Sequence, residues 1–184
     1  MDATYTIDPQ TAGEMAGVGL LVARLVLGLL MAAHGSQKLF GWFGGYGLNT
    51  TGEFFVQLGF RPGRLFATAA SVGEVGSGLL VALGFLGPVG PAVMIAVMIV
   101  AAASVHLPHG LFAQNNGIEL PLIYAAAALG LALTGPGRYS VDALLGVTWT
   151  PWVIWAAITA GVVGGLANLL LRRRPPAAGT PHSA

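Results

Sequence analysis

Cysteine is absent from this chain. Disulfide exchange, thiolate metal sites and iron–sulfur clusters held by the polypeptide itself are therefore ruled out. Charge is almost as scarce. Asp, Glu, Lys and Arg make up 8% of the 184 residues, where a soluble domain carries about 25%. The formal net charge is +1 and no basic stripe occurs, so nucleic acid is not expected as a partner. No nucleophile–base pattern, phosphate loop or dinucleotide fingerprint is present. Gly44-Gly45-Tyr46-Gly47 is glycine-rich but follows no strand, and it reads as a turn.

Apolar residues fill the space that charge leaves. They make up 55% of the chain, and the mean hydropathy is +0.75. A bilayer-spanning helix needs about 20 mostly apolar residues. Five stretches qualify, near 16–34, 63–85, 89–106, 117–134 and 152–171. Pro62 opens the second. Gly87-Pro88 separates the second from the third so closely that the two must form an antiparallel hairpin. Asn115 and Asn116 are cap candidates for the fourth, and Thr150-Pro151 is a start signal for the fifth. Small residues recur every four positions in two spans: Ala69, Gly73 and Ser77, then Ala157, Gly161 and Gly165. Such stripes let helices approach closely. They serve packing inside the bundle or a homo-oligomer, and the first use is favoured.

The fold expected is an all-α integral membrane helical bundle. Four core transmembrane helices fall within 16–148, and a fifth C-terminal one within 149–172. Residues 1–15 form a polar N-terminal segment with no basic region, so the first apolar stretch is expected to stay in the protein rather than act as a cleaved signal. The Pro/Ala-rich tail, 173–184, is expected to be disordered. Between the first two spans, Thr50-x-x-Glu53 matches a capping box. It predicts a short helix near 50–59 lying at the membrane interface.

Loop charge sets orientation. With the N-terminus outside, Lys38, Arg61, Arg64 and Arg172 to Arg174 all fall inside, and the outer side keeps Asp2, Asp8, Glu14, Arg138 and Asp142. The C-terminus is then cytoplasmic. Trp149 and Trp152 join an outer aromatic belt, and Trp42 an inner one.

The polar residues inside the apolar stretches carry the functional signal. An ionisable group in hydrocarbon is costly, so it is normally paired, faces the bundle interior and marks a site. Arg24 and Glu74 are such groups. Their estimated depths differ by about 6 Å at 1.5 Å rise per residue, which predicts a buried pair, either a static clamp or a working site. A second group gathers toward the inner face. His34 and Lys38 share one helical face at i, i+4, His106 ends the third span, and Glu119 opens the fourth. A carboxylate at a helix N-terminus is also favoured for structural reasons alone. Two histidines on different helices could ligate haem, but neither lies deep in a span, which disfavours it. No histidine spacing matches a zinc site.

Several segments, taken together and in order, resemble the DoxX family of small bacterial membrane proteins. They are Arg24-Leu25-Val26-Leu27-Gly28, His34-Gly35-Ser36-Gln37-Lys38-Leu39, Gly73-Glu74-Val75-Gly76-Ser77-Gly78, Asn116-Gly117-Ile118-Glu119-Leu120-Pro121 and Gly135-Pro136-Gly137-Arg138-Tyr139-Ser140-Val141-Asp142. The resemblance covers about 17–146. It implies a four-helix core and a place in the bacterial plasma membrane, and the fifth span departs from it. Some relatives look like subunits of a thiosulfate:quinone oxidoreductase, and others are linked to oxidative-stress complexes.

The resemblance thus implies a membrane component of a redox system that engages a quinone beside a soluble or membrane oxidoreductase partner. It favours Arg24, His34, Lys38, Glu74 and Glu119 as the polar set, to which His106 is added here. A quinone carbonyl needs a cation or donor and a proton source. Arg24, His34 or Lys38 could serve as the first, and Glu74, Glu119 or His106 as the second. A non-catalytic scaffold for soluble oxidoreductases and a small-solute or proton permease are the competing classes.

Overall fold

The computed structural model describes residues 8–173, and every regular element among them is a helix. The first, α1 (Pro9–Phe40), runs for 32 residues. Asp8 starts it, its carboxylate accepting from the amides of Gln10 and Thr11. Two N–H groups that a helix start leaves unpaired are thereby satisfied. Gly41 ends it with φ 76, a left-handed conformation that suits glycine. The chain continues through α2 (Gly47–Gln57), α3 (Gly63–Leu83), α4 (Val89–Ala101), α5 (Glu119–Thr134), the single-turn α6 (Val141–Leu144) and α7 (Pro151–Leu170). A π turn over Ala102–His106 and a 3-10 turn over Leu107–His109 prolong α4.

Among the described residues, four helices are long and apolar enough to cross a membrane: α1, α3, extended α4 and α7. The apolar α5 is shorter, at 16 residues. The expected bundle of four spans plus a C-terminal one is therefore present, with several local differences. α1 begins at Pro9 rather than near residue 16, because Asp8 supplies a cap well before the apolar stretch. The short helix expected near 50–59 starts at Gly47, not at Thr50. Its N-cap is Tyr46 with no side-chain bond, so the capping box does not form, and Thr51 Oγ1 bonds back to the Gly47 carbonyl at 2.8 Å. The cause is the glycine run. Gly45 lies so close to the Gln37 backbone that a Cβ there would overlap its Cα at 2.5 Å, so the chain folds back at once. Asn115 and Asn116 do not cap α5 either. Its N-cap is Ile118, and Asn116 takes a left-handed turn at φ 61. Thr150 and Pro151 do open α7. The disordered-tail expectation falls on residues outside the described range, except at Arg173.

Glycines set the distances between helices. α1 crosses α3 where a Cβ on Gly28 would meet Ala82 N at 2.6 Å and one on Gly35 would meet Ser71 O at 2.6 Å. Two backbones in contact gain dispersion without ordering long side chains, which is how helices associate in lipid. α7 packs on α4 in the same way. A Cβ on Gly165 would lie 2.9 Å from Ala96 O, and one on Gly161 3.0 Å from Ala92 C. The fifth-span stripe thus packs within the bundle. Met31, Val81, Met94 and Leu131 fill the centre of the core.

Candidate functional site

The polar residues separate to two ends of this bundle. At the end formed by the α3–α4 and α5–α7 connections, Arg24 is 2% exposed and donates from Nη2 to the Tyr139 carbonyl. Its guanidinium lies against Gly84, where any Cβ would collide with it. Asp142, also buried, accepts from Leu86 N at 3.0 Å, Gly87 N at 2.7 Å and Trp149 Nε1 at 2.8 Å. One carboxylate therefore fastens the loop after α3 to the segment before α7. Trp149, expected in an aromatic belt, is turned inward to make this bond.

The predicted Arg24–Glu74 pair does not form. Glu74 pairs instead with Lys38, whose Nζ meets Glu74 Oε1. The glycine contacts explain the difference. They set a register that brings Arg24 level with Gly84, ten residues or about 15 Å along α3 from Glu74. The same register brings the last turn of α1 beside Glu74, within reach of Lys38.

Around this ion pair lies a cavity of about 580 Å³. α2 contributes Phe54 and Phe55, and the start of α3 gives Phe66. The extended α4 gives Val97, Ser104 and His106, and α7 gives Gly165 and Asn168. The walls are mostly apolar, and the Lys38–Glu74 pair is the ionic feature on them. Glu74 is 1% exposed, and its Oε2 has no hydrogen-bond partner. His106 Nδ1 bonds to the Asn116 carbonyl at 2.8 Å, which orients the ring. The end of α7 closes the wall. Arg172 Nε donates to the Leu58 carbonyl and Arg173 N to the Gly59 carbonyl, tying α7 to the α2–α3 connection.

Of the six residues that the sequence singles out, Lys38, Glu74 and His106 line this cavity. Arg24 lies at the opposite end. His34 reaches a different neighbour from Lys38, packing edge-on against Tyr124 of α5 with ring centroids 6.0 Å apart. Glu119 accepts from Ala113 N at 2.7 Å and so orders the loop between α4 and α5. Among the described residues no group of three His, Asp or Glu side chains is placed to hold a metal ion. Ser104, Asn168 and Asp142 are structurally prominent residues that sequence reasoning did not assign to a site. Asp142 lies in a segment quoted for the family resemblance, and that was its only signal.

The chain resembles known proteins. The DoxX family model matches residues 19–107, from within α1 to just past the π turn of α4. Inner membrane protein YqjF of Escherichia coli (strain K12) is 30% identical over 139 residues, covering 74% of this chain and 98% of that relative. No solved structure matches. Lys38, Glu74, Ser104 and His106 all fall inside the matched segment, whereas α7 lies outside it. An inner-membrane relative and a set of membrane-length apolar helices make this a multi-pass bacterial membrane protein. With a relative 30% identical along nearly its whole length and the family model matching from α1 through extended α4, the chain belongs to the DoxX family.

Proposed function

We propose that the protein is the membrane component of a redox system, and that it binds a quinone in the cavity between α2, α3, α4 and α7 beside a partner oxidoreductase. The observation that carries this is the cavity's chemistry: a largely apolar chamber with one buried ion pair on its wall. Ligand sites of this kind combine apolar walls with a few convergent polar groups, and about 300–1,000 Å³ is their usual size. A quinone has the matching form, with an apolar ring and tail and oxygens at opposite ends of the ring. Lys38 can donate to one of them, and Glu74 and His106 can exchange protons with the reduced ring. Electrons must come from outside, since the chain has no cysteine to hold an iron–sulfur relay.

The core centred on Met31 and Met94 is packed, and this favours binding over passage through the bundle. The test is equilibrium binding of decylubiquinone to the purified chain in nanodiscs. Saturable binding is expected. Val100→Trp, which fills the cavity, should abolish it, and His34→Gln, outside the cavity, should leave it unchanged. Binding no stronger than to an unrelated membrane protein would replace this reading with that of a scaffold.

A further inference from the structure

Four buried side-chain polar atoms among the described residues have no hydrogen-bond partner: Nε and Nη1 of Arg24, Oε2 of Glu74 and Oγ of Ser104. Such groups are rare, because each forfeits its hydration without replacement. The Arg24 pair lies at the far end of the bundle, outside the cavity. Glu74 and Ser104 both line the cavity. Serines elsewhere in these helices satisfy themselves. Ser36 donates to the Ala32 carbonyl and Ser71 to the Ala67 carbonyl. Ser104 makes no such bond, and it lies in the π turn Ala102–His106, where the regular winding of α4 breaks. Turns of this type recur at functional sites.

The hydrogen-bonding sense at Glu74, Ser104 and His106 follows from the remaining contacts. As the anionic partner of the Lys38 ammonium, Glu74 offers only acceptors. His106 Nδ1 faces the Asn116 carbonyl. A carbonyl only accepts, so Nδ1 carries a proton, which leaves Nε2 as an acceptor when the ring is neutral. Ser104 Oγ can play either part. Glu74 Oε2 is therefore a buried acceptor without a donor, and the unpartnered Ser104 Oγ can accept as well. A quinone has two carbonyl oxygens and no donor, whereas a quinol has two hydroxyls.

Building on the quinone-site reading above, we propose that the cavity recognises the reduced, dihydroxy form of its ligand in preference to the quinone. One hydroxyl donates to Glu74 Oε2 while Lys38 holds Oε1. The other is taken by Ser104 and His106 at the opposite end of the ring. The spacing suits a ring with an oxygen at either end. A Cβ on Gly73 would lie 3.2 Å from the Val97 side chain, so Glu74 sits about level with Val97. Ser104 is seven residues further along α4, about 10 Å, and side chains reach in from both levels.

Decylubiquinol and decylubiquinone, titrated separately into the full chain in nanodiscs, test this. The quinol should bind about tenfold more tightly, which is what one hydrogen bond to a charged group contributes. In a two-electron redox titration that preference raises the midpoint of the bound couple by about 30 mV. Glu74→Gln, which gains an N–H donor, should remove most of the preference. If that variant does not fold, Lys38→Met with Glu74→Gln removes both charges together and should do the same. Ser104→Ala should weaken the quinol several-fold and keep the helix content. Equal binding of the two forms would overturn this inference and leave quinone binding intact. Binding of neither would remove both. A preference that survives Glu74→Gln, or the double variant, together with Ser104→Ala would overturn the assignment to these residues.

Discussion

Lys38 and Glu74 meet across the α1–α3 interface, the ammonium from the last turn of one helix on the carboxylate from the middle of the other. The Glu74 side chain is 2% exposed and that of Lys38 35%, so the carboxylate depends on this single cation. Removing either partner should cost more than removing both. A double-mutant cycle of Lys38→Met and Glu74→Gln, read by thermal unfolding in detergent, should give a coupling energy of about 0.5–3 kcal/mol. The corresponding cycle of Arg24→Gln and Glu74→Gln should be additive within about 0.5 kcal/mol. Strong coupling in the second cycle would contradict the register described here.

That register also marks how far the sequence could be read. The spans were legible because hydrocarbon thickness dictates apolar length, and close packing of the fifth span was legible because Gly161 and Gly165 stand four residues apart, although its partner, α4, was not. The pairing of charges was not. Depth was counted from the start of the apolar stretch, but α1 begins at Pro9, and its height against α3 is set by Gly28 and Gly35. The cavity was illegible for another reason. Phe54, Phe66, Val97 and Gly165 come from four helices, and each looks like ordinary packing by itself. Ser104 resembled any self-satisfied helical serine, and nothing in the sequence marks the π turn that leaves its hydroxyl free.

Asp142 fastens one end of the bundle. Its carboxylate takes three N–H groups from two separate connections. Asp142→Ala leaves the Leu86 and Gly87 amides and the Trp149 indole without their acceptor. A loss of about 3 kcal/mol or more is expected, at about 1.5–3 kcal/mol for a hydrogen bond to a charged group. Trp149→Phe removes one donor and should cost less. Thermal unfolding of both variants checks the order, and a Trp149→Phe that is the more damaging would refute it.

The glycines divide into two kinds. Gly28 is enclosed by the backbone of Gly78 and Ala82, whereas a Cβ on Gly76 or Gly130 would meet nothing within 4 Å. Gly28→Ala must push α1 away from α3, at a cost of about 1–3 kcal/mol for overpacking. Gly76→Ala and Gly130→Ala should be neutral or stabilising by about 0.4–1 kcal/mol, because alanine restricts the unfolded chain. A Gly28→Ala variant as stable as Gly76→Ala and Gly130→Ala would show that α1 and α3 are not in contact at Gly28.

Orientation in the bilayer rests on charge. Lys38, Arg61, Arg64, Arg172 and Arg173 gather at the end where α1 meets α2 and α7 finishes, whereas at the other end, among the described residues, Arg138 is the lone Lys or Arg in a connection and Arg24 is buried within α1. Basic residues in short loops are retained on the cytoplasmic side. On that rule the cavity, bounded by α2 and the Leu58–Gly59 connection, is expected to face the inner leaflet, on the side of any cytoplasmic partner. The absence of cysteine makes this directly measurable. Asn49 and Thr148 are both exposed and lie at opposite ends. In intact cells an impermeant thiol reagent should label Thr148→Cys and not Asn49→Cys, and after lysis both should react. Labelling of Asn49→Cys alone from outside would invert the topology. A partner oxidoreductase would then have to be sought on the outer face.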